Sequence, residues 1–265
     1  MELRDAAGTI HRPAHAAARI VSLVPSITEL ICNLGISSQL VGRTGFCIHP
    51  KGTVRAIPKV GGTKDVDFEK VRALRPTHVI LNIDENEKPT AAGLARFVPH
   101  LVVTHPLAPL DNLGLYRLIG GIFNRADEAE DLCVRFSAAH DALAAEQYEP
   151  RKVLYLIWKD PWMTVSRDTY ISRTLALAGL ETLPQESTAR YPHIGLEDSG
   201  VAGAEVVLLS SEPYMFRAKH VAELGALQAL ARKTVRLIDG EMTSWYGSRA
   251  IEGLAYLREF RRSIA

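Results

Sequence analysis

Apolar residues in this chain gather in short runs separated by longer stretches of helical spacing, and the runs come in pairs. Val79-Ile80-Leu81-Asn82, preceded by Glu69, is echoed by Val207-Leu208-Leu209-Ser210, preceded by Glu197; both comparisons give an offset of 128 residues, 197 − 69 and 207 − 79. Ile20 to Val24 is matched by Val153 to Ile157, and Leu101 to Thr104 by Val235 to Ile238. Each run is too short for a helix and too continuously apolar for a half-exposed strand, which predicts a strand buried on both faces of a parallel sheet. The spacing predicts an α/β fold of two Rossmann-like lobes, with a cleft between them as the expected working surface.

Breakers and caps set the expected boundaries. Pro25 closes the first strand, and Ser26-x-x-Glu29 reads as a capping box that opens a helix ending at Gly35. Asp67 is placed to cap a second helix, which leads through Pro76 into the strand from His78 to Asn82. From Asn124 to Glu149, Ala129, Leu132, Cys133, Phe136, Ala139 and Leu143 recur at three- and four-residue steps with no internal Pro or Gly. This predicts one long amphipathic helix, roughly 35 Å from end to end, that links the lobes. The expected division is therefore 1–123, 124–149 and 150–265. A terminal helix carries Ile251, Leu254, Leu257 and Phe260 on one face, with Ser248 as its expected cap.

Composition removes several functions. The chain has 265 residues, 47% hydrophobic and 23% charged, with a formal net charge of +1. Without a basic surplus there is no phosphate-neutralising face for nucleic acid. Cys32, Cys47 and Cys133 lie far apart, which argues against a disulfide framework and against a structural zinc site. Nothing in the first nineteen residues has the apolar core of a secretory leader or a membrane span. Taken as it stands, the sequence predicts a cytoplasmic chain unless a leader has been trimmed.

Candidate chemistry concentrates in segments that follow or link the expected strands. Trp158, Trp162, Tyr191, Tyr214, Phe216, Trp245 and Tyr246 all fall there, including all three tryptophans. Aromatic faces at strand ends suit a flat ligand, although each ring also has a plain reading as a cap on a lobe's core. The loop Asp84 to Lys88 follows a strand's carboxyl end, where open α/β sheets place ligands, and Glu85 and Arg249 are the expected polar contacts. Cys47-x-His49, with Glu85, Glu212 or Glu241, offers metal ligands but no third residue at a recognisable spacing; a buried thiol and a loop imidazole are the plainer reading. Gly61-Gly62-Thr63-Lys64 lacks the full phosphate-loop pattern and reads as a turn. Glu69 and Glu197 sit near matching helix starts, where a carboxylate is favoured by the helix dipole.

The stretches Val21 to Leu30, Phe46 to Pro50, Val60 to Val71, Ser210 to Phe216 and Asp239 to Arg249 resemble the helical-backbone metal-receptor family, the class III substrate-binding proteins of ABC importers. The likeness to its vitamin B12-binding members runs from Arg19 to about Phe260. It implies a monomeric receptor that holds a metal chelate non-covalently in an interlobe cleft, with cobalamin first and heme or an iron-siderophore next, and no catalytic residue. It implies an extracytoplasmic location, against the missing leader, and a permease partner docked through Glu69 and Glu197. Phe46 and Trp245 fall where the vitamin B12 binders carry pocket aromatics. Thr63-Lys64 replaces a tryptophan of theirs, and the acidic loop from Asp84 replaces a glycine-rich one. The rival expectations are a metal-dependent or chelatase-like enzyme using Cys47, His49 and a loop glutamate, and an intracellular corrinoid-handling protein on the same fold.

Overall fold

A computed structural model of the chain describes residues 2–15, 17–230 and 232–264. The chain divides into two compact units, the first formed by Met1–Pro106, Leu110–Phe136 and Tyr246–Arg249, the second by Leu107–Pro109, Ser137–Trp245 and Ala250–Ala265.

The first unit opens with an antiparallel pair, β1 (Leu3–Arg4) and β2 (Ile10–His11). It continues through β3 (Ile20–Ser22), α1 (Pro25–Asn33), β4 (Leu40–Arg43), α2 (Lys51–Val54), α3 (Phe68–Ala73), β5 (His78–Asn82), α4 (Lys88–Leu94), β6 (His100–Thr104) and α5 (Asp111–Ile122). Its sheet has the order β4-β3-β5-β6, all parallel. All five residues of β5 are buried, as a strand covered on both faces requires. Val21, Leu23, Val71, Val79, Leu81 and Leu94 form one core cluster. Each such side chain contributes roughly 1.5–3 kcal/mol by leaving water.

After α6 (Ala126–Ala144), the second unit runs β7 (Arg151–Leu156), α7 (Tyr170–Ala176), β8 (Leu180–Thr182), α8 (Ser199–Ala202), β9 (Val206–Ser210), α9 (Ala218–Gly225), β10 (Thr234–Ile238), α10 (Gly240–Ser244) and α11 (Arg249–Ser263). The sheet order is β8-β7-β9-β10, again parallel. Numbered within each unit, both orders are 2-1-3-4, so the sequence repeat is a repeat of topology. In such a sheet the chain turns in opposite directions on leaving the first and third strands, and the crevice lies at their carboxyl ends, beyond Ser22 and Asn82 in one unit and Leu156 and Ser210 in the other.

Local chemistry moves two of the expected boundaries. The N-cap of α1 is Val24, not Ser26, because Pro25 takes the first helical position, where its missing N–H costs nothing and its ring holds Val24 extended. Glu29 is consequently released from any capping box. The helix α6 spans 19 residues, about 28 Å, and not the range 124–149. Asn124 adopts a left-handed conformation, φ 56°, while its side chain donates to the Ala14 carbonyl, so the helix cannot begin there. Beyond Ala144 the Glu146 carboxylate accepts from Tyr148 and Arg262 and draws the chain off the axis. Asp67 caps α3 as expected, its carboxylate accepting from the Lys70 N–H at 3.0 Å.

Candidate functional site

In the first unit the loop after β4 is fixed by an inward thiol. Cys47 is fully buried, with the Thr28 hydroxyl 3.0 Å and the Thr44 hydroxyl 3.1 Å from its Sγ. Burial pushes the Cys47 thiol above its ordinary value, the opposite of what a thiolate metal ligand needs. Its neighbours in sequence turn outward: Phe46 is 62% exposed, with its ring edge resting against Gly62, and Ile48 is exposed too. Among the described residues no group of three or more His, Cys, Asp and Glu side chains is placed to hold a metal ion.

The loop after β5 is organised by two asparagines that sequence reasoning did not single out. The Asn82 Oδ1 accepts the backbone N–H groups of Asp84 at 2.8 Å and Glu85 at 3.3 Å. The Asn86 Oδ1 accepts the Asn82 N–H at 2.8 Å, and its Nδ2 donates to the carbonyls of Thr63 at 2.8 Å and Leu23 at 3.3 Å. One amide thus ties three loops together, and Ile83 is left exposed at their rim. Glu85 accepts the hydroxyl of Tyr246, whose phenol is raised well above its ordinary value by burial and then by the Glu85 charge, so it stays a neutral donor. The segment carrying Tyr246 is pinned at Gly247, whose N–H donates to Asn112 Oδ1 at 2.6 Å and whose carbonyl accepts from Tyr116 at 2.9 Å. Ser248, expected as a helix cap, takes the Asn33 amide on its hydroxyl at 2.7 Å. Arg249, expected to meet an anionic ligand, makes a two-pronged ion pair with Glu29 at 2.6 and 2.8 Å, both side chains nearly buried.

In the second unit the strand-end loops carry rings packed on rings. The Tyr214 N–H donates to the Ile157 carbonyl at 3.2 Å, joining the loop after β9 to the end of β7. This sets the Trp158 ring edge-on to Tyr214, centroids 5.7 Å apart, with Trp158 still 40% exposed. Trp162 stacks on Phe216 at 6.3 Å, and Tyr214 tilts onto Phe216 at 4.7 Å. Phe216 itself lies in the core beside Leu209 and Leu224, so packing accounts for it. Met215, between the two rings, is 60% exposed. Trp245 is buried and donates its indole N–H to Glu212 at 2.6 Å; Ser244 donates to the same oxygen at 2.8 Å. Burial, helped by the charge of Glu241, holds the Glu212 carboxyl above the usual carboxylate range. Tyr191 is half-buried.

The two expected docking glutamates differ in setting. Glu69 lies in the first turn of α3 with 85% of its side chain exposed, whereas Glu197 is exposed just before the Asp198 cap of α8. Glu197 borders a depression of about 490 Å³ with Trp162, Leu196 and Leu227.

Residues 20–240 match the model of a family described as periplasmic binding protein. A vitamin B12-binding protein of Yersinia pestis (strain Pestoides F) is 24% identical over 204 residues, covering 75% of this chain and 71% of that protein. The crystal structure of the periplasmic vitamin B12 binding protein BtuF of Vibrio cholerae superposes with a TM-score of 0.76 at 19% identity, over 93% of this chain and 98% of that one. A periplasmic heme binding protein from Pseudomonas aeruginosa gives 0.78 at 21% identity, over 94% of each chain. These are binding proteins rather than enzymes, which sets aside the chelatase-like reading of Cys47 and His49. The chain belongs to the periplasmic binding protein family.

Proposed function

We propose that this protein is the substrate-binding component of an ABC-type importer, working outside the cytoplasm, and that its ligand is a metal chelate of the corrinoid class. The observation that carries the reading is where apolar surface is left in water. Of ten large apolar side chains exposed among the described residues, Phe46, Ile48, Ile83, Trp158 and Met215 sit on loops leaving the carboxyl ends of strands, three in one unit and two in the other. Exposed apolar groups gathered at the ligand-binding edge of parallel sheets mark a surface for a largely apolar, flat molecule.

Charge favours a corrinoid over heme. The strand-end loops carry Asp84, Glu85 and Glu87 in one unit and Asp239 and Glu241 in the other, while Arg249 is bound to Glu29, Lys159 to Glu223, and Arg217 turns to Met215 Sδ. Heme brings two propionates, which these carboxylates repel; a corrinoid brings peripheral carboxamides, whose N–H groups they accept. The names of the relatives above point to the same pair of ligands. Phe46, Trp158, Trp162, Tyr191, Trp245 and Tyr246 are the proposed aromatic contacts or their supports, and Glu85 a polar one.

Titration with cyanocobalamin, hemin and a ferric siderophore, followed by tryptophan fluorescence, tests this. Cyanocobalamin should quench Trp158 saturably with a dissociation constant of ~10 µM or tighter, and hemin should bind at least about tenfold more weakly. Absence of quenching by all three overturns the proposal, and preference for hemin overturns the charge argument. Glu69 and Glu197 are proposed as permease contacts. Replacing both by alanine should leave ligand affinity unchanged and abolish uptake by cells that depend on this protein; unimpaired uptake would remove them from that role.

A further inference from the structure

The internal repeat exposes a difference between the units at one edge of each sheet. Val103 of β6 pairs with Leu81, and Leu237 of β10 pairs with Leu209; Leu81 and Leu209 are equivalents in the repeat, so Val103 and Leu237 are too. In β6 the His100 N–H donates to Thr77 and the Thr104 carbonyl accepts from Ile83, which turns His100, Val102 and Thr104 toward β5 and Val103 outward. The outward groups of Val103 are both taken by the N-terminal hairpin: its N–H donates to Asp5 Oδ2 at 3.0 Å, and its carbonyl accepts from the Ala6 N–H at 2.9 Å. Leu3 of the hairpin fills the space over α5 at Gly121, where a Cβ would come within 2.4 Å of Leu3 Cδ2.

The second unit has the same slot without the hairpin. The Thr234 N–H donates to Glu205 and the Ile238 carbonyl accepts from Ser211, so Thr234, Arg236 and Ile238 face β9 while Val235 and Leu237 face out. Among the described residues nothing takes the outward N–H and C=O of Leu237, which is 40% exposed. A groove of about 600 Å³ runs along this edge, walled by Val221 and Ala222 of α9 on one side and Phe260 and Ile264, at and beyond α11, on the other. The one charged residue lining it, Arg236, is basic. Lys219, Arg232 and Arg236 are exposed and make no ion pair among the described residues, whereas Glu223 of α9 and Glu259 of α11 are paired with Lys159 and Arg262; the remaining acid of α11, Glu252, lies in its first turn, away from the end that walls the groove.

We propose that the β10 edge is a docking site for an extended acidic segment of another protein, which adds to the sheet as a strand. The hairpin in the first unit shows the chemistry the slot takes: an apolar residue over the helix, and two positions later a carboxylate that accepts the outward N–H. Backbone bonds of this kind supply affinity, and the alternate side chains supply selectivity. A second copy of β10 is the poorer occupant, because antiparallel pairing centred on Arg236 sets two guanidinium groups against each other.

The probe is the acetylated hexapeptide Glu-Leu-Glu-Asp-Ala-Ala, which copies residues 2–7 with the one cation replaced, against a control in which its three acids are lysine. The full protein should bind the acidic peptide saturably at or below about 1 mM and the basic one at least about tenfold more weakly. Arg236→Glu should weaken the acidic peptide by about tenfold. Leu237→Pro, which removes an outward N–H that the ladder to β9 does not use, should abolish binding with unchanged circular dichroism, while Leu237→Ala retains it. Equal binding of both peptides, or no binding of either, overturns the proposal. So does concentration-dependent dimerisation lost in Leu237→Pro, which would give the edge to a second copy.

Discussion

Glu212 is a carboxylic acid inside a strand-end loop, and its surroundings set its protonation. Two donors, the Ser244 hydroxyl and the Trp245 indole, favour the charged form; burial and the neighbouring charges of Glu241 and Asp239 oppose them, and the net effect is upward from the ordinary 4.5. The folded protein therefore holds this proton more tightly than the unfolded chain. The stabilisation is fully present below about pH 4.5 and is lost as pH rises through the folded-state value. Glu212→Gln keeps the acceptor and removes the titration. Its melting temperature relative to the parent should rise as pH goes from 4.5 to 8; parallel melting curves across that range would show that folding does not raise the Glu212 carboxyl above its ordinary value. Nothing in the sequence around Ser210-Ser211-Glu212 distinguishes this acid from a surface glutamate. Its burial comes from Ser244 and Trp245, 32 and 33 residues away, and those distances close only once the sheet order is known.

At the scale of elements, the clearest constraint is the ion pair between Glu29 of α1 and Arg249, the first residue of α11. A planar guanidinium bonded twice to a carboxylate holds direction as well as distance, so it fixes where the Tyr246 segment leaves the first unit. Arg249→Ala strands a nearly buried carboxylate and should cost roughly 3 kcal/mol in urea denaturation, with Glu29→Ala in the same chain restoring part of it. Unchanged stability together with lost ligand affinity would show instead that Arg249 serves the ligand. The sequence places Arg249 at a helix start and suggests an anion contact, but its partner is 220 residues away and stays hidden while Glu29 reads as half of a capping box. The same region shows how element boundaries are lost: the pattern Ser26-x-x-Glu29 is a genuine cap signal, overridden by a proline whose ring needs the first helical position. Strands are easier to read. A parallel strand buried on both faces must be continuously apolar, and β5 and β9 announce themselves by that property alone.

The whole molecule is built by repetition: two units of one strand order, each leaving apolar side chains in water at its strand carboxyl ends. The repeat is legible because equivalent strands keep equivalent runs 128 residues apart. The loops at those ends are legible in outline from their aromatics, yet the exposed Ile48, Ile83 and Met215 are not, since an isolated apolar residue in a loop reads the same whether it points inward or out. Polar anchors such as Asn82 and Asn86 escape for a related reason, because their partners lie on other loops. Hydrogen exchange read with and without cyanocobalamin measures the central claim at the level of the full chain. Slowed exchange should appear in residues 44–50 and 83–87 of the first unit and in 158–163 and 211–217 of the second. Protection confined to one unit, or falling elsewhere than these four loops, would contradict the assignment of the strand ends as the ligand surface.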